Sequence, residues 1–210
     1  MLLNEKTIII SGVGPGMGRT MAKIAAREGA KVALGARNLD FLEEIATQIR
    51  EDGGQAIAAP LDVTDTDSCR AFATATQDAF GRIDGLVNSA YNHGSWATSD
   101  VATPDEWASI YDVNCLGALR MSQAVLPMMR AQKSGAIVNV STMATVNPFP
   151  GEVAYAASKG ALGVLTKHMA TDFGKDNIRV NACRMGWIGG APVYGYIDSQ
   201  VAAGRDRADC

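Results

Sequence analysis

Two residues one helical turn apart carry the sharpest chemical signal in this sequence. In Tyr155-Ala156-Ala157-Ser158-Lys159 the tyrosine and the lysine stand at i and i+4. That spacing puts both side chains on one face of a helix, with Cβ atoms about 6 Å apart. A free phenol has a pKa near ~10, too high for proton exchange at neutral pH. A neighbouring ammonium favours the phenolate. Lowering the phenol by about 3 units requires roughly 4 kcal/mol of differential stabilisation. So tuned, Tyr155 would give a proton to a carbonyl or take one from an alcohol. Alone, the pair also reads as two residues on a solvated helix face.

Hydroxyl and amide groups stand at places that would support such a phenol. Val138-Asn139-Val140-Ser141-Thr142 ends an apolar, strand-like run. A hydroxyl there can donate to a substrate oxygen as charge builds on it; Ser141 and Thr142 are both candidates. Asn114 interrupts a helical pattern, where asparagine is neutral to unfavourable. It is either a water-binding or helix-bending residue, or an ordinary surface asparagine.

A cofactor site is written near the N-terminus. Thr7–Ile10 is a run of four β-branched residues, followed by Ser11-Gly12-Val13-Gly14-Pro15-Gly16-Met17-Gly18 and then a helical pattern. Glycines let a backbone turn sharply and approach a pyrophosphate, and the helix N-terminus offers N–H groups and a positive dipole end. Strand, glycine turn and helix in that order are the context dinucleotide binding requires. The spacing is not that of a P-loop, because no Gly-Lys-Ser/Thr follows. The second strand ends in Gly35-Ala36-Arg37. An acid there holds a ribose 2′-hydroxyl, whereas arginine suits a 2′-phosphate. Arg37 therefore favours NADP(H), with NAD(H) possible; the alternative is a solvated surface arginine. A positive nicotinamide ring beside Lys159 would help lower the phenol of Tyr155. Asp62, after the third strand, either accepts a bond from the adenine amino group or caps the helix beginning near Thr64.

The elements that must position these groups alternate regularly. Strands are expected at Thr7–Ile10, Lys31–Leu34, Gln55–Leu61, Gly85–Ser89, Ala136–Ser141 and Ile178–Cys183. Helices are expected over 17–28, around Leu42–Ile49, over 64–80, from Pro104 to 126 or 129, and over 153–173. Thr103-Pro104-Asp105-Glu106 combines a capping box with proline at the first helical position. Such alternation makes a parallel sheet with helices on both faces, and ligands then sit beyond the carboxyl ends of the strands.

Composition narrows the partners. With 210 residues, 47% hydrophobic and 20% charged, the expectation is one domain over 1–210 with its own core. A net charge of −3 offers no basic field to nucleic acid or an anionic membrane. No run is long enough to span a bilayer, and the N-terminal apolar run is too short for a signal peptide. Cys69, Cys115, Cys183 and Cys210 form no CxxC, and only His93 and His168 are available beside them. Reduced thiols in the cytoplasm and no metal site are expected.

Taken in order, the glycine turn, Gly35-Ala36-Arg37, Asp62-Val63, Asn88-Ser89-Ala90, Asn114, Ser141-Thr142, the Tyr155–Lys159 run and Arg179-Val180-Asn181-Ala182 resemble the short-chain dehydrogenase/reductase family. The resemblance spans residue 7 to about 188. It implies a Rossmann-like, doubly wound α/β fold and a tetrad of Ser/Thr, Tyr155, Lys159 and Asn114. It also implies cofactor contacts from Gly12, Gly14, Pro15, Gly16, Met17, Gly18, Arg37, Asp62, Val63, Asn88, Ser89, Ala90, Tyr155, Lys159, Gly186 and Ile188. Dimers or tetramers built on the helices starting near Pro104 and Val153 follow from the same resemblance.

Departures from the family pattern are visible. Thr142 holds the position, thirteen before the tyrosine, that usually carries serine, with Ser141 in reserve. Tyr91 stands where a glycine usually lies near the cofactor's ribose. Met185-Gly186 replaces the usual Pro-Gly. Family members continue into a further segment and a seventh strand, so a sheet lacking its last strand is expected here, with segment 189–210 short or incomplete.

Tyr91, His93, Trp96, Met143, Val146, Phe149, Trp187, Tyr194 and Tyr196 are expected to line a pocket for a hydrophobic or ring-bearing alcohol or ketone. The expected reaction is hydride transfer between NADP(H) and such a substrate, with Tyr155 as general acid/base. The competing reading is a non-catalytic dinucleotide-binding sensor or subunit. A nucleotide-sugar epimerase also uses a Tyr–Lys pair, but its larger substrate domain would not fit after residue 183.

Overall fold

Six parallel strands form one sheet in the order β3-β2-β1-β4-β5-β6. They are β1 (Thr7–Ser11), β2 (Lys31–Ala36), β3 (Gln55–Pro60), β4 (Gly85–Asn88), β5 (Gly135–Thr142) and β6 (Ile178–Met185). Among the described residues, seven α-helices connect and flank them: α1 (Met17–Arg27), α2 (Leu39–Glu51), α3 (Thr66–Phe80), α4 (Pro104–Tyr111), α5 (Gly117–Gln132), α6 (Val153–Gly174) and α7 (Ala191–Ala202). The computed structural model describes residues 1–207, apart from the side chains of residues 191 and 192. Cys210 therefore lies outside the described residues.

Pleat alternation assigns the strand residues to two cores. Ile10, Val32 and Leu34 pack with Ala22, Leu42, Ile45 and Ile49 of α1 and α2. Ile9, Ala33, Leu86 and Ile137 pack on the opposite face with residues of α3, α5 and α6, among them Phe72, Met121 and Met169. The fold is thus a doubly wound, Rossmann-like α/β sheet. β6 is an edge strand among the described residues, and no seventh strand accompanies it there.

The chain crosses from β3 back to β4 beside β1, so the strand order reverses between β1 and β4. Such a reversal opens a crevice at the carboxyl ends. The glycine turn leaves β1 there, the loop 89–103 leaves β4, and the segment 143–152 leaves β5.

Three local expectations are corrected. α3 begins at Thr66, because Asp65 caps it through the Asp67 N–H at 2.9 Å. Asp62 instead accepts from both the N–H and the hydroxyl of Thr64, at 2.9 and 2.7 Å. The capping box of α4 is half made: the Glu106 N–H donates to Thr103 Oγ1, but Glu106 Oε1 accepts from the Ser95 N–H at 2.6 Å. The long helix from Pro104 is broken by a π-helical turn at Asp112–Leu116, and α5 then runs through Pro127 to Gln132. α7 was not expected; its proline opening is a helix-start signal, but Gly195 weakens the helical pattern.

Candidate active site

Tyr155 lies in the first turn of α6 and is half-buried, whereas Lys159 is buried, with 2% of its surface exposed. Helical spacing does bring them to one face: Lys159 Nζ sits 5.9 Å from the centroid of the phenol ring. Its ammonium donates to the Val140 carbonyl at 2.8 Å. This bond anchors the start of α6 to the end of β5. Burial pushes the Lys159 pKa down to about 8. The phenol is displaced the other way. Burial, then the Glu152 carboxylate, push Tyr155 up to about 12, against a hydrogen bond with Thr142 that lowers it. The expected lowering by Lys159 does not appear in the protein alone: Lys159 is not among the groups that shift the phenol, and desolvation dominates.

The pleat separates the two hydroxyl candidates. Thr142 lies on the side of the phenol, close enough to lower its pKa, and its Oγ1 accepts from the Ala144 N–H at 3.2 Å, which holds the chain as it leaves β5. Ser141 is buried on the opposite face of the strand, the face of Ile137 and Asn139, and is not brought to the phenol.

Asn114 owes its inward aim to the π-helical turn, where the helix carries an extra residue. It is 1% exposed, so it is not a surface asparagine. Its Oδ1 accepts from the Asn92 N–H at 2.7 Å, and its Nδ2 donates to the Asn92 carbonyl at 2.8 Å and to Ser158 Oγ at 2.9 Å. Ser158 in turn donates to the Tyr155 carbonyl at 2.7 Å. Asn114 thus ties the loop after β4 to the turn of α6 that carries the phenol. Neither Asn92 nor Ser158 was singled out from the sequence.

The glycine turn divides its labour. A Cβ on Gly12, which has φ +89°, would lie 2.2 Å from the Ala90 backbone nitrogen. A Cβ on Gly18 would lie 2.8 Å from Val13 Cα. These two glycines let the turn pack against β4's end and against α1. At Gly14 and Gly16 a Cβ would meet nothing within 4 Å. Here the bare backbone borders open space, next to an α1 N-terminus that no side chain caps. Pro15 is exposed and Met17 half-buried beside it. The residues present fit a pyrophosphate there, since the backbone is open to approach and the helix N–H groups have no side-chain cap. Exposed Arg37 follows β2, and Asp62, lowered by its bonds to Thr64 and then by the Arg37 charge, follows β3.

Other expected contacts face elsewhere. The Asn88 side chain turns into the core, where Nδ2 donates to Asn139 Oδ1 at 2.9 Å and reaches Ser122 Oγ at 3.3 Å. Asn139 Nδ2 continues to Thr166 Oγ1 at 2.9 Å. That network ties β4 and β5 to α5 and α6. The Val63 side chain is buried in the core, where a Cβ on Gly117 would crowd it at 2.8 Å. Ser89 is buried, with its N–H on the Ser11 carbonyl at 2.8 Å, and Ala90 is half-buried. Gly186 follows β6, where its Cβ would meet Met143 Sδ at 3.4 Å, and Ile188 is exposed.

The expected pocket residues do gather. His93 stacks on Tyr155 at 4.9 Å and on Trp96 at 3.7 Å. Tyr91 meets Tyr155 edge-on at 6.5 Å. Trp187 contacts Tyr196 of α7 at 4.9 Å and Phe149 at 6.2 Å. Trp96 holds a left-handed backbone, φ +60°, and Gly151 leaves room for it, since a Cβ there would lie 2.5 Å from the Trp96 carbonyl oxygen. Tyr91, Trp96, Met143, Val146, Phe149, Trp187 and Tyr194 are all exposed, and so many exposed apolar side chains in one region mark a binding surface.

A family model described as short chain dehydrogenase matches residues 6–200. The chain belongs to the short-chain dehydrogenase family. An uncharacterized oxidoreductase of Staphylococcus aureus strain N315 is 31% identical over 195 residues, spanning 93% of this chain and 83% of its own length. The uncharacterized oxidoreductase YxbG of Bacillus subtilis strain 168 is 37% identical over 186 residues, spanning 89% and 68%. Among solved structures, an NAD+-bound xylitol dehydrogenase superposes with TM-score 0.90 at 32% identity, covering 98% of this chain and 80% of that one. A metagenomic short-chain oxidoreductase in complex with NADP superposes with TM-score 0.83 at 29% identity, covering 99% and 94%. This short-chain dehydrogenase is an oxidoreductase of small molecules that uses a nicotinamide dinucleotide. Among its described residues, no helix is long and apolar enough to cross a membrane.

Proposed function

We propose that this short-chain dehydrogenase transfers hydride between NADP(H) and a ring-bearing ketone or alcohol, with Tyr155 as the general acid/base. The observation that carries the reading is a half-buried phenol held beside Thr142 at the end of β5, on a helix anchored there by Lys159. The bound dinucleotide supplies or accepts the hydride. Gly14, Gly16 and the N-terminus of α1 hold its pyrophosphate, and Arg37 neutralises its 2′-phosphate. Asp62 accepts from its adenine amino group.

A phenol pushed up to about 12 keeps its proton at neutral pH, which suits the reductive direction. Thr142 orients the carbonyl oxygen and the phenol together. Tyr155 donates its proton to that oxygen, and the Lys159 ammonium stabilises the phenolate left behind. Asn114 positions the phenol's helix. Trp96, Trp187 and Tyr196 receive the substrate's ring.

Homodimers or homotetramers form through α4, α5 and α6. Supporting this, the N-terminal half of α6 exposes Ala157 and Val164, the latter by 58%. The protein works in the cytoplasm.

The test is NADPH oxidation against a panel of aryl and alkyl ketones, wild type beside Tyr155→Phe. The variant loses about 10²- to 10⁴-fold in kcat while still binding NADPH. Equal rates would remove the acid/base role. Tight NADPH binding with no turnover by either protein would favour a non-catalytic sensor or subunit, a reading that Tyr91 in place of glycine keeps open.

A further inference from the structure

Beside the phenol stands a pair of polar side chains that the proton transfer does not use. The His93 imidazole lies between the rings of Trp96 and Tyr155, 27° and 26° from parallel. Its side chain is 18% exposed, yet both ring nitrogens are buried with no hydrogen-bond partner in the protein. Glu152, the residue just before α6 and three before Tyr155, is 12% exposed and brings Oε1 to 3.5 Å from His93 Nε2. That is too long for a good hydrogen bond.

An imidazole left so is unfavourable, because each buried unpaired polar group costs about 1–3 kcal/mol. A phenylalanine would stack between Trp96 and Tyr155 equally well without that cost. The nitrogens therefore have a use once something enters the crevice. Together, the imidazole and the carboxylate offer a donor and an acceptor side by side. A hydroxyl matches both, since it donates once and accepts twice. A ligand carboxylate would face the charge of Glu152, and an ammonium, having no acceptor, would leave an imidazole N–H unpaired. The stacking of His93 on the phenol at 4.9 Å confines the hydroxyl to a carbon near the one whose oxygen meets Tyr155.

We propose that His93 and Glu152 form a second polar binding point, so that preferred substrates are ring-bearing α-hydroxy ketones and the vicinal diols they interconvert with. This rests on the reading of Tyr155 as the proton donor in NADP(H)-linked carbonyl reduction. His93 and Glu152 act on specificity; Glu152 also raises the pKa of the phenol, an effect shared by both ketones that cancels in the ratio of their kcat/KM values.

The experiment compares kcat/KM for α-hydroxyacetophenone and acetophenone with NADPH, in wild type, His93→Phe, Glu152→Gln and Tyr155→Phe. Wild type should favour the hydroxy ketone by about tenfold or more, the scale of losing one well-placed hydrogen-bonded group. The preference should fall to within about twofold in His93→Phe and Glu152→Gln, mostly through KM. Binding to wild type alone gives a measurement independent of any variant's folding. Styrene glycol should inhibit competitively at about a tenth of the concentration that α-methylbenzyl alcohol needs. Equal kcat/KM and equal inhibition in wild type would overturn the proposal. A preference that survives both substitutions would overturn it too. If either ketone is reduced in a Tyr155-dependent way, the parent reading stands even when the preference is absent. If neither is, both readings fall.

Discussion

Replacing Lys159 with methionine should separate stability from function. Lys159 is buried at 2% exposure and its pKa is pushed from 10.5 to about 8 by burial. The difference, 10.5 − 8, at about 1.36 kcal/mol per unit, means that keeping the ammonium in the folded state costs about 3 kcal/mol at neutral pH. Methionine has a similar unbranched shape and no charge. It forfeits the bond to the Val140 carbonyl, a loss of about 1–2 kcal/mol. The net expectation at pH 7 is a Lys159→Met protein more stable by about 1–2 kcal/mol and without ketone reduction. The sign of the pH dependence follows from the shift. A lysine with a lowered folded pKa binds its proton more weakly than the unfolded chain does, so wild-type stability rises with pH between about 8 and 10.5. The variant's advantage should therefore shrink by about 1 kcal/mol between pH 7 and pH 9. Tyr155, raised from 10 to about 12, does not titrate in that window. Urea unfolding of both proteins at the two pH values is the assay. A variant less stable than wild type at pH 7, or an advantage that stays flat with pH, would refute the reasoning.

The same shift predicts activity. Reduction should decline as pH rises through about 8, where Lys159 loses its charge, and a pH profile of kcat/KM with the hydroxy ketone would check it. Gly12→Ala should destabilise by more than about 2 kcal/mol or fail to fold, because its Cβ meets the Ala90 backbone at 2.2 Å at a positive φ. Gly14→Ala, with nothing within 4 Å, should keep its thermal midpoint and bind NADPH at least about tenfold more weakly by calorimetry. Arg37→Asp should weaken NADPH about tenfold or more while leaving NADH nearly unchanged; an unchanged ratio of dissociation constants would separate Arg37 from the 2′-phosphate.

Much of this arrangement is local and was legible along the chain. The six strands and the helices α1, α2, α3 and α6 follow from hydrophobic period and glycine stops, which act within a few residues, whereas α4 and α5 read as one helix because the π-helical turn between them leaves no periodic mark. The pairing of Tyr155 with Lys159 is a consequence of helical spacing alone. Boundaries were less legible: Asp62 and Asp65 compete for the same capping role, and only packing decides that Asp65 starts α3. Ser141 and Thr142 are adjacent and chemically alike, so composition could not choose between them. The pleat of β5 chose, because it turns one to the core and the other to the phenol.

What the sequence determined by itself, then, is the architecture and the placing of Tyr155 and Lys159 on one face of α6, because periodicity, glycine turns and i,i+4 spacing are properties of neighbouring residues. Tertiary structure alone decided the environment of each group. The protonation bias of Tyr155 and Lys159 comes from burial, the aim of Asn114 from a π-helical turn, and the pairing of His93 with Glu152 from two loops packed at Gly151. Desolvation and contact depend on residues distant in the chain, so no local pattern could announce them.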